Sequence, residues 1–371
     1  MREEAMKSIR HVLFATLSFA VCAGTAQAQS YERIGTIAIP GQPLVQFDIS
    51  WMDPTTETYF LADRSNAGLD IFNAAKGTFV GRVTGFAGFN AAKGTDLSGP
   101  DGVVVIGDEA WVGDGDSSIK VVDLNLNKIV DVVSTGGKKR ADELAYDPRD
   151  HLIALANDAD SPPFISLIST VHSNRHVVKK IPFPSATNGI EQTVWNPNTG
   201  YFYTSIPQIG SNKDNGAIAV IDPASGTVLT NFPVDKCQPA GLTLGPNDTL
   251  FVGCGAAAVL NKAPPEVLVL SAVNGNLVDR FTSFGGADEV WFNPGDRNFY
   301  AAASGNPTGG VLGIVSTTSN SVVGTVPTSS GSHSVAADPL NNHIFVPLRP
   351  NPNDSACLAG CIGIYAASPT P

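Results

Sequence analysis

Six ionisable side chains stand in one column of a repeating sequence. Asp48, Asp142, Glu191, Asp288 and His333 each lie five residues before an Asp-Pro or Asn-Pro corner, and Ala240 holds that place before Gly245-Pro246. Asp101 joins the column because Pro100-Asp101-Gly102 matches Pro239-Ala240-Gly241. Carboxylates that converge repel, so such a set must share protons, hold water or bind a cation. A hard cation such as Ca²⁺ takes about six to eight oxygens. The candidate ligands are Asp48, Asp101, Asp142, Glu143, Asn157, Glu191 and Asp288. Asp142 and Glu143 are alternatives for one role, since strand alternation turns only one of them to a shared axis. Asn157, with Asp63, Asp114 and Asp116, ends a second strand on the same rim.

His333 is the one member of the column that titrates near neutral pH. With a metal held by Glu191, Asn157 and Asp288, His333 would draw a proton from water, and the metal would polarise a carbonyl. That makes His333 and Glu191 the candidate catalytic residues of a metal-dependent lactone or ester hydrolase. The other reading needs no catalysis: the acidic pocket binds Ca²⁺ or another divalent cation, or a small organic cation. The plain alternative is a set of side chains that only hydrates a channel mouth.

The elements that must position these residues are short hairpins. In Leu144–Asn157 an apolar strand meets a corner at Asp147-Pro148 and a second apolar strand follows, the pattern of an antiparallel pair with one buried face. Corners recur at 53, 147, 196, 245, 293 and 338, with a degenerate one at Gly107-Asp108, and the last four steps are 49, 49, 48 and 45 residues. A third strand keeps the same step, centred on Ile71, Val121, Leu167, Val220, Val269, Ile314 and Ile364. Seven units of this period, without a helical pattern, predict an all-β, seven-bladed β-propeller with four-stranded antiparallel blades. A two-sheet sandwich does not repeat at this spacing. The last unit lacks one strand, and Ile34–Ile39 supplies it as the outer strand of blade seven, which closes the ring and covers an open edge.

Residues 1–28 read as a signal peptide. Lys7, Arg10 and His11 precede the apolar run Val12–Val21, and Ala26-Gln27-Ala28 fits a cleavage site. The run is too short to span a bilayer, and Cys22 fits a lipid-attachment site poorly. Residues 29–371 then form a single propeller domain, secreted or periplasmic and expected to be monomeric. In an exported chain the four remaining cysteines favour disulfides. Cys237 and Cys254 flank one hairpin, and Cys357 and Cys361 share one loop. Acidic residues outnumber basic ones by 34 to 23, which argues against nucleic acid and anionic membrane surfaces as partners.

The Pro-x-Gly triplets, the Asp-Pro corners and third strands such as Ala217–Val228 resemble the YVTN-type repeat of exported seven-bladed propellers. The resemblance covers essentially the whole chain after the leader and implies architecture rather than activity. More distantly, the chain is similar to the gluconolactonase, strictosidine-synthase and paraoxonase propellers. That similarity implies carboxylate and amide metal ligands in a central well.

Long connections at Pro207–Gly216, Gly255–Pro265 and Arg349–Cys361 extend the acidic face, where a small molecule or a protein could dock. Phe86 and Phe89 are candidate aromatics near it. Gly253-Cys254-Gly255 lacks the helix that a nucleotide site needs, and there is no haem-attachment motif, nucleophile elbow or His-Glu-x-x-His. Trp51, Trp195 and Trp291 are expected to pack between blades.

Overall fold

Five of the seven blades share the same local chemistry at their corner. The side chain of the corner residue accepts a hydrogen bond from the backbone N–H two residues on. This occurs from Thr55 to Asp53 (3.0 Å), Arg149 to Asp147 (2.8 Å), Asn198 to Asn196 (2.8 Å), Gly295 to Asn293 (3.1 Å) and Leu340 to Asp338 (2.9 Å). The intervening proline, present in all five of these turns at 54, 148, 197, 294 and 339, has no N–H to leave unpaired and presets its own φ. The turn is therefore specified by residues adjacent in the chain.

A computed structural model describes residues 30–368, so the leader assigned to residues 1–28 lies outside the described residues. The described chain forms seven separate four-stranded antiparallel sheets. Inner strands of successive blades adjoin all the way round, with blade seven returning to blade one, so the sheets make a closed ring. The protein is a seven-bladed β-propeller. Tyr31–Ala38 is the outer strand of blade seven, paired antiparallel with Cys361–Ala367. The core lies between blades, where large apolar side chains interdigitate. Tyr59 of blade one stacks on Phe345 of blade seven at 5.0 Å, and Phe251 of blade five on Phe299 of blade six at 4.4 Å.

Cys237 and Cys254 are bonded, as are Cys357 and Cys361. Among the described residues no helix is long and apolar enough to cross a membrane.

At the start of the inner strands the ladder carries an extra residue. Asp142 N–H donates to Ala156 O (2.7 Å), while Ala156 N–H donates to Glu143 O (2.8 Å), so two residues oppose one. The same pairing occurs at 48 and 49 against 62, 101 and 102 against 113, 191 and 192 against 205, and 288 and 289 against 302. These are β-bulges, which break the alternation of side chains and re-aim them. The Pro-x-Gly triplets gain a reason here: a Cβ on Gly102 would lie 2.5 Å from Asp142 O, and one on Gly241 would lie 2.1 Å from Asp288 O. Glycine lets the backbone of the next blade approach at the bulge.

Candidate functional site

The column gathers at one mouth of the central channel. A cavity of about 350 Å³ there is bordered by Asp48, Asp142, Glu143, Glu191, Asp288 and His333, together with Phe47, Arg64, Arg140 and Arg349. Asp101 is fully buried beside it. The expectation that only one of Asp142 and Glu143 faces the axis is corrected: both border the cavity, because the bulge removes the alternation on which that choice rested.

The acids divide into two sets. Asp48, Asp101 and Asp142 have carboxylate oxygens within 4.8 Å of one another, a spacing that could hold a cation. Two guanidinium groups already serve them. Arg64, the residue after the second strand of blade one, bonds both Asp48 and Asp101 through Nη2. Arg140, two residues before the column, pairs with Asp142 at 2.8 Å and with Asp158 at 2.6 Å. Burial alone would raise the Asp48 pKa, yet Arg64, His333 and Arg140 hold it below the ordinary carboxylate range. Asp101 goes the other way: burial and the neighbouring Asp48 charge outweigh Arg64, so its carboxyl is raised well above that range. The two acids share one guanidinium, and the second proton is hard to remove once the first has gone.

Glu143, Glu191 and Asp288 form the second set, and among the described residues no basic side chain is hydrogen-bonded to any of them. Glu143 is only 7% exposed, and its Oε2 has no hydrogen-bond partner. Burial, followed by the charges of Asp142, Glu191 and Asp288, raises the Glu143 pKa well above the ordinary value. Burial and the Asp158 and Asp288 charges do the same for Glu191. Asp288 is raised too, by burial against a partial offset from His333.

Two of the sequence-assigned residues, Asn157 and His333, already have partners within the fold. Asn157 is not a free ligand: its amide nitrogen donates to Ser117 Oγ (3.2 Å) and Thr135 Oγ1 (2.9 Å), and its oxygen accepts from Ser166 Oγ (2.9 Å). It ties blades two and three together within the core, so the carboxylate-and-amide set implied by the gluconolactonase-type resemblance is not assembled. His333 has a neighbour at each ring nitrogen. Nδ1 must donate to Gly331 O (2.8 Å), and Nε2 lies 3.5 Å from Asp48 Oδ1, where a second proton is favoured. Burial would lower the imidazole pKa, but the Asp48 bond and the Asp288 charge raise it overall. The ring stacks on Phe47 at 4.7 Å with only 6° between planes. His333 thus bridges blades seven and one, between Gly331, Asp48 and Phe47.

Asp63 and Asp114 also stand apart from the channel mouth, paired with Arg82 and Lys120, and Lys120 is also 3.3 Å from Asp116. Phe86 is buried in the contact between blades one and two, with Lys120 Nζ 5.3 Å from its ring centre.

The sequence reading missed Arg64, Arg140 and Arg349. A signal existed for Arg140, the one basic residue two places before the column. Arg64 and Arg349 sit just beyond second strands, and only the three-dimensional ring turns them to the axis. Arg349 lies over Phe47, 5.9 Å from the ring centre, with its Nε unpartnered, and burial lowers its pKa.

No protein-family model and no curated protein matches this sequence. In three dimensions the chain superposes on a chain of hydrazine synthase from Kuenenia stuttgartiensis with a TM-score of 0.65 and 16% identity, covering 82% of this chain and 92% of that one. The likeness is one of fold. Propellers carry unrelated activities on one scaffold, so function must be argued from the channel itself.

Proposed function

We propose that this is an exported binding propeller whose polar channel mouth takes a small organic cation, held by Glu143, Glu191 and Asp288. The observation that carries the reading is the Glu143 carboxyl, buried and unpartnered beside two more acids that lack a basic partner. Burying carboxyls without counterions costs free energy, and a bound ammonium group would offset that cost. Among the described residues it is Asp48, Asp101 and Asp142 that bring ligand atoms within 4.8 Å of one another, and a spread of ammonium donors suits Glu143, Glu191 and Asp288 better than one small ion. Arg349 could receive an anionic group of the same ligand.

The spacing of Asp48, Asp101 and Asp142 favours a second reading, a Ca²⁺-type site. That reading requires Arg64 to withdraw from Asp48 and Asp101. Hydrolysis of lactones or esters would need His333 Nε2 free to take a proton from water, and that atom lies 3.5 Å from Asp48 Oδ1.

Calorimetric titration of the full chain with 1,4-diaminobutane tests the proposal. Saturable binding is expected, at least about tenfold weaker in Glu191→Gln, which is about 1.4 kcal/mol or more. Binding should release protons, since the acids must ionise to meet the ligand, and affinity should rise with pH through their raised pKa values until the amine itself deprotonates. Binding of Ca²⁺ with no response to the diamine would overturn the assignment.

The same geometry predicts a stability effect without ligand. A carboxyl with a raised folded pKa contributes stability that is complete below its ordinary value, 4.5 for Glu143, and is lost as pH rises through the folded value. At pH 7, Glu143→Gln should therefore melt higher, by about 1 kcal/mol of stability, while binding the diamine less tightly. Equal melts at pH 7 would count against an unpaired charge there.

A further inference from the structure

The opposite end of the channel is of a different kind. Beyond the bulges the inner strands border a second chamber of about 480 Å³, whose lining includes Trp51, Tyr146, Trp195, Trp291 and Phe292. Trp51 and Trp291 meet edge to face at 5.3 Å, across the position of blade seven. The expectation that the tryptophans only pack between blades is therefore incomplete: each also borders this chamber.

Glu143 and Glu289 border the same chamber, from blades three and six, which stand on nearly opposite walls of a seven-membered ring. Glu289 is 1% exposed. Its Oε2 accepts from Val335 N–H (2.8 Å) and from Ser334 Oγ, while its Oε1 has no partner. A buried, unmatched carboxylate oxygen beside a set of aromatic rings is a costly arrangement for an empty apolar core. It is a suitable one for a cation with an apolar body: ring faces attract the charge, ring surfaces bury the body, and the carboxylate supplies the counterion.

We propose that this chamber is a second binding site, for an organic ammonium compound with an aromatic or branched apolar body, with Glu289 as the counterion and Trp51, Trp195 and Trp291 as the walls. The corner residues Pro148 and Pro197 border the site; Glu143 borders both this chamber and the polar mouth, whereas Glu289 borders this chamber and not that mouth. Its volume lies within the range usual for small-molecule pockets, about 300–1,000 Å³.

The test is tryptophan fluorescence of the full chain, titrated with benzyltrimethylammonium and, separately, with neutral benzyl alcohol. The expected result is saturable quenching by the cation, at least tenfold tighter than by the alcohol. Glu289→Gln keeps an oxygen for Ser334 and Val335, and it should weaken the cation at least tenfold while leaving the alcohol unchanged. Trp291→Phe, which retains a ring for the core, should weaken the cation less than Trp291→Ala does. Glu191→Gln, at the other mouth, should not alter the titration. Equal affinity for cation and alcohol, or no loss in Glu289→Gln with its melt intact, would overturn the proposal. A loss in Glu191→Gln as large as that in Glu289→Gln would place the bound cation at the polar mouth and overturn it equally.

Discussion

A chain lacking residues 31–40 should lose its cooperative thermal transition near the wild-type temperature and should aggregate on heating. Tyr31–Ala38 forms seven register pairs with Cys361–Ala367, and without it that strand becomes an open edge. The deletion also removes Ile37 and Ile39, both buried in the contact between blades seven and one. Each buried isoleucine is worth about 1.5–3 kcal/mol, and each ladder hydrogen bond about 1 kcal/mol net. The Arg33–Asp354 pair, at 2.5 Å but partly exposed, adds little. The total is on the order of 8 kcal/mol, comparable with the whole stability of an ordinary domain. Circular dichroism melts and sedimentation would check it. A soluble monomer melting within about 5 °C of the full chain would show that the ring does not need this strand.

Arg64→Ala should be the most damaging single substitution at the polar mouth. Arg64 is 4% exposed and bridges Asp48 and Asp101, so its loss leaves two buried acids without their shared counterion. Breaking such a pair from one side costs about 3–5 kcal/mol, a fall in Tm on the order of 10 °C. Lysine should rescue only in part, because an ammonium lacks the planar fork that reaches both acids. The pH dependence has a definite sign. Asp48 has a lowered folded pKa, so the stability it draws from Arg64 is present above its ordinary value of 3.8 and is lost as pH falls through the lower folded value. The gap between wild type and variant should thus be widest near neutrality and shrink in strong acid. Asp48→Asn combined with Asp101→Asn should recover much of the loss in a double-mutant comparison. With the guanidinium gone, Asp48, Asp101 and Asp142 become free to hold an ion, so Ca²⁺ should raise the Tm of Arg64→Ala more than that of wild type. A variant that melts like wild type at pH 7 would mean that Arg64 does not neutralise these acids.

The ring, its blade count and the strand that closes it were legible because each blade repeats local signals. A corner residue that caps its own turn and an apolar alternation of period two act within about ten residues, so they survive in a linear reading. The cysteine pairings were legible for a similar reason: both partners lie on one hairpin or within one loop. The column of acids was visible as well, since equal positions in equal blades meet at one radius of the ring.

The sequence alone determined that Asp48, Asp101, Asp142, Glu191 and Asp288 would gather at one end of a seven-bladed channel. Only the tertiary structure decided which of them are neutralised. Counterions come from wherever a side chain can reach: Arg64 reaches Asp48 and Asp101 from just beyond a second strand, and Arg140 reaches Asp142 from two residues before it and Asp158 from 18 residues away. Register decided the rest. One extra residue in the inner-strand ladder turned both Asp142 and Glu143 to the axis and sent the tryptophans to the far chamber, and a bulge of that kind is set by pairing across strands rather than by the residues on either one.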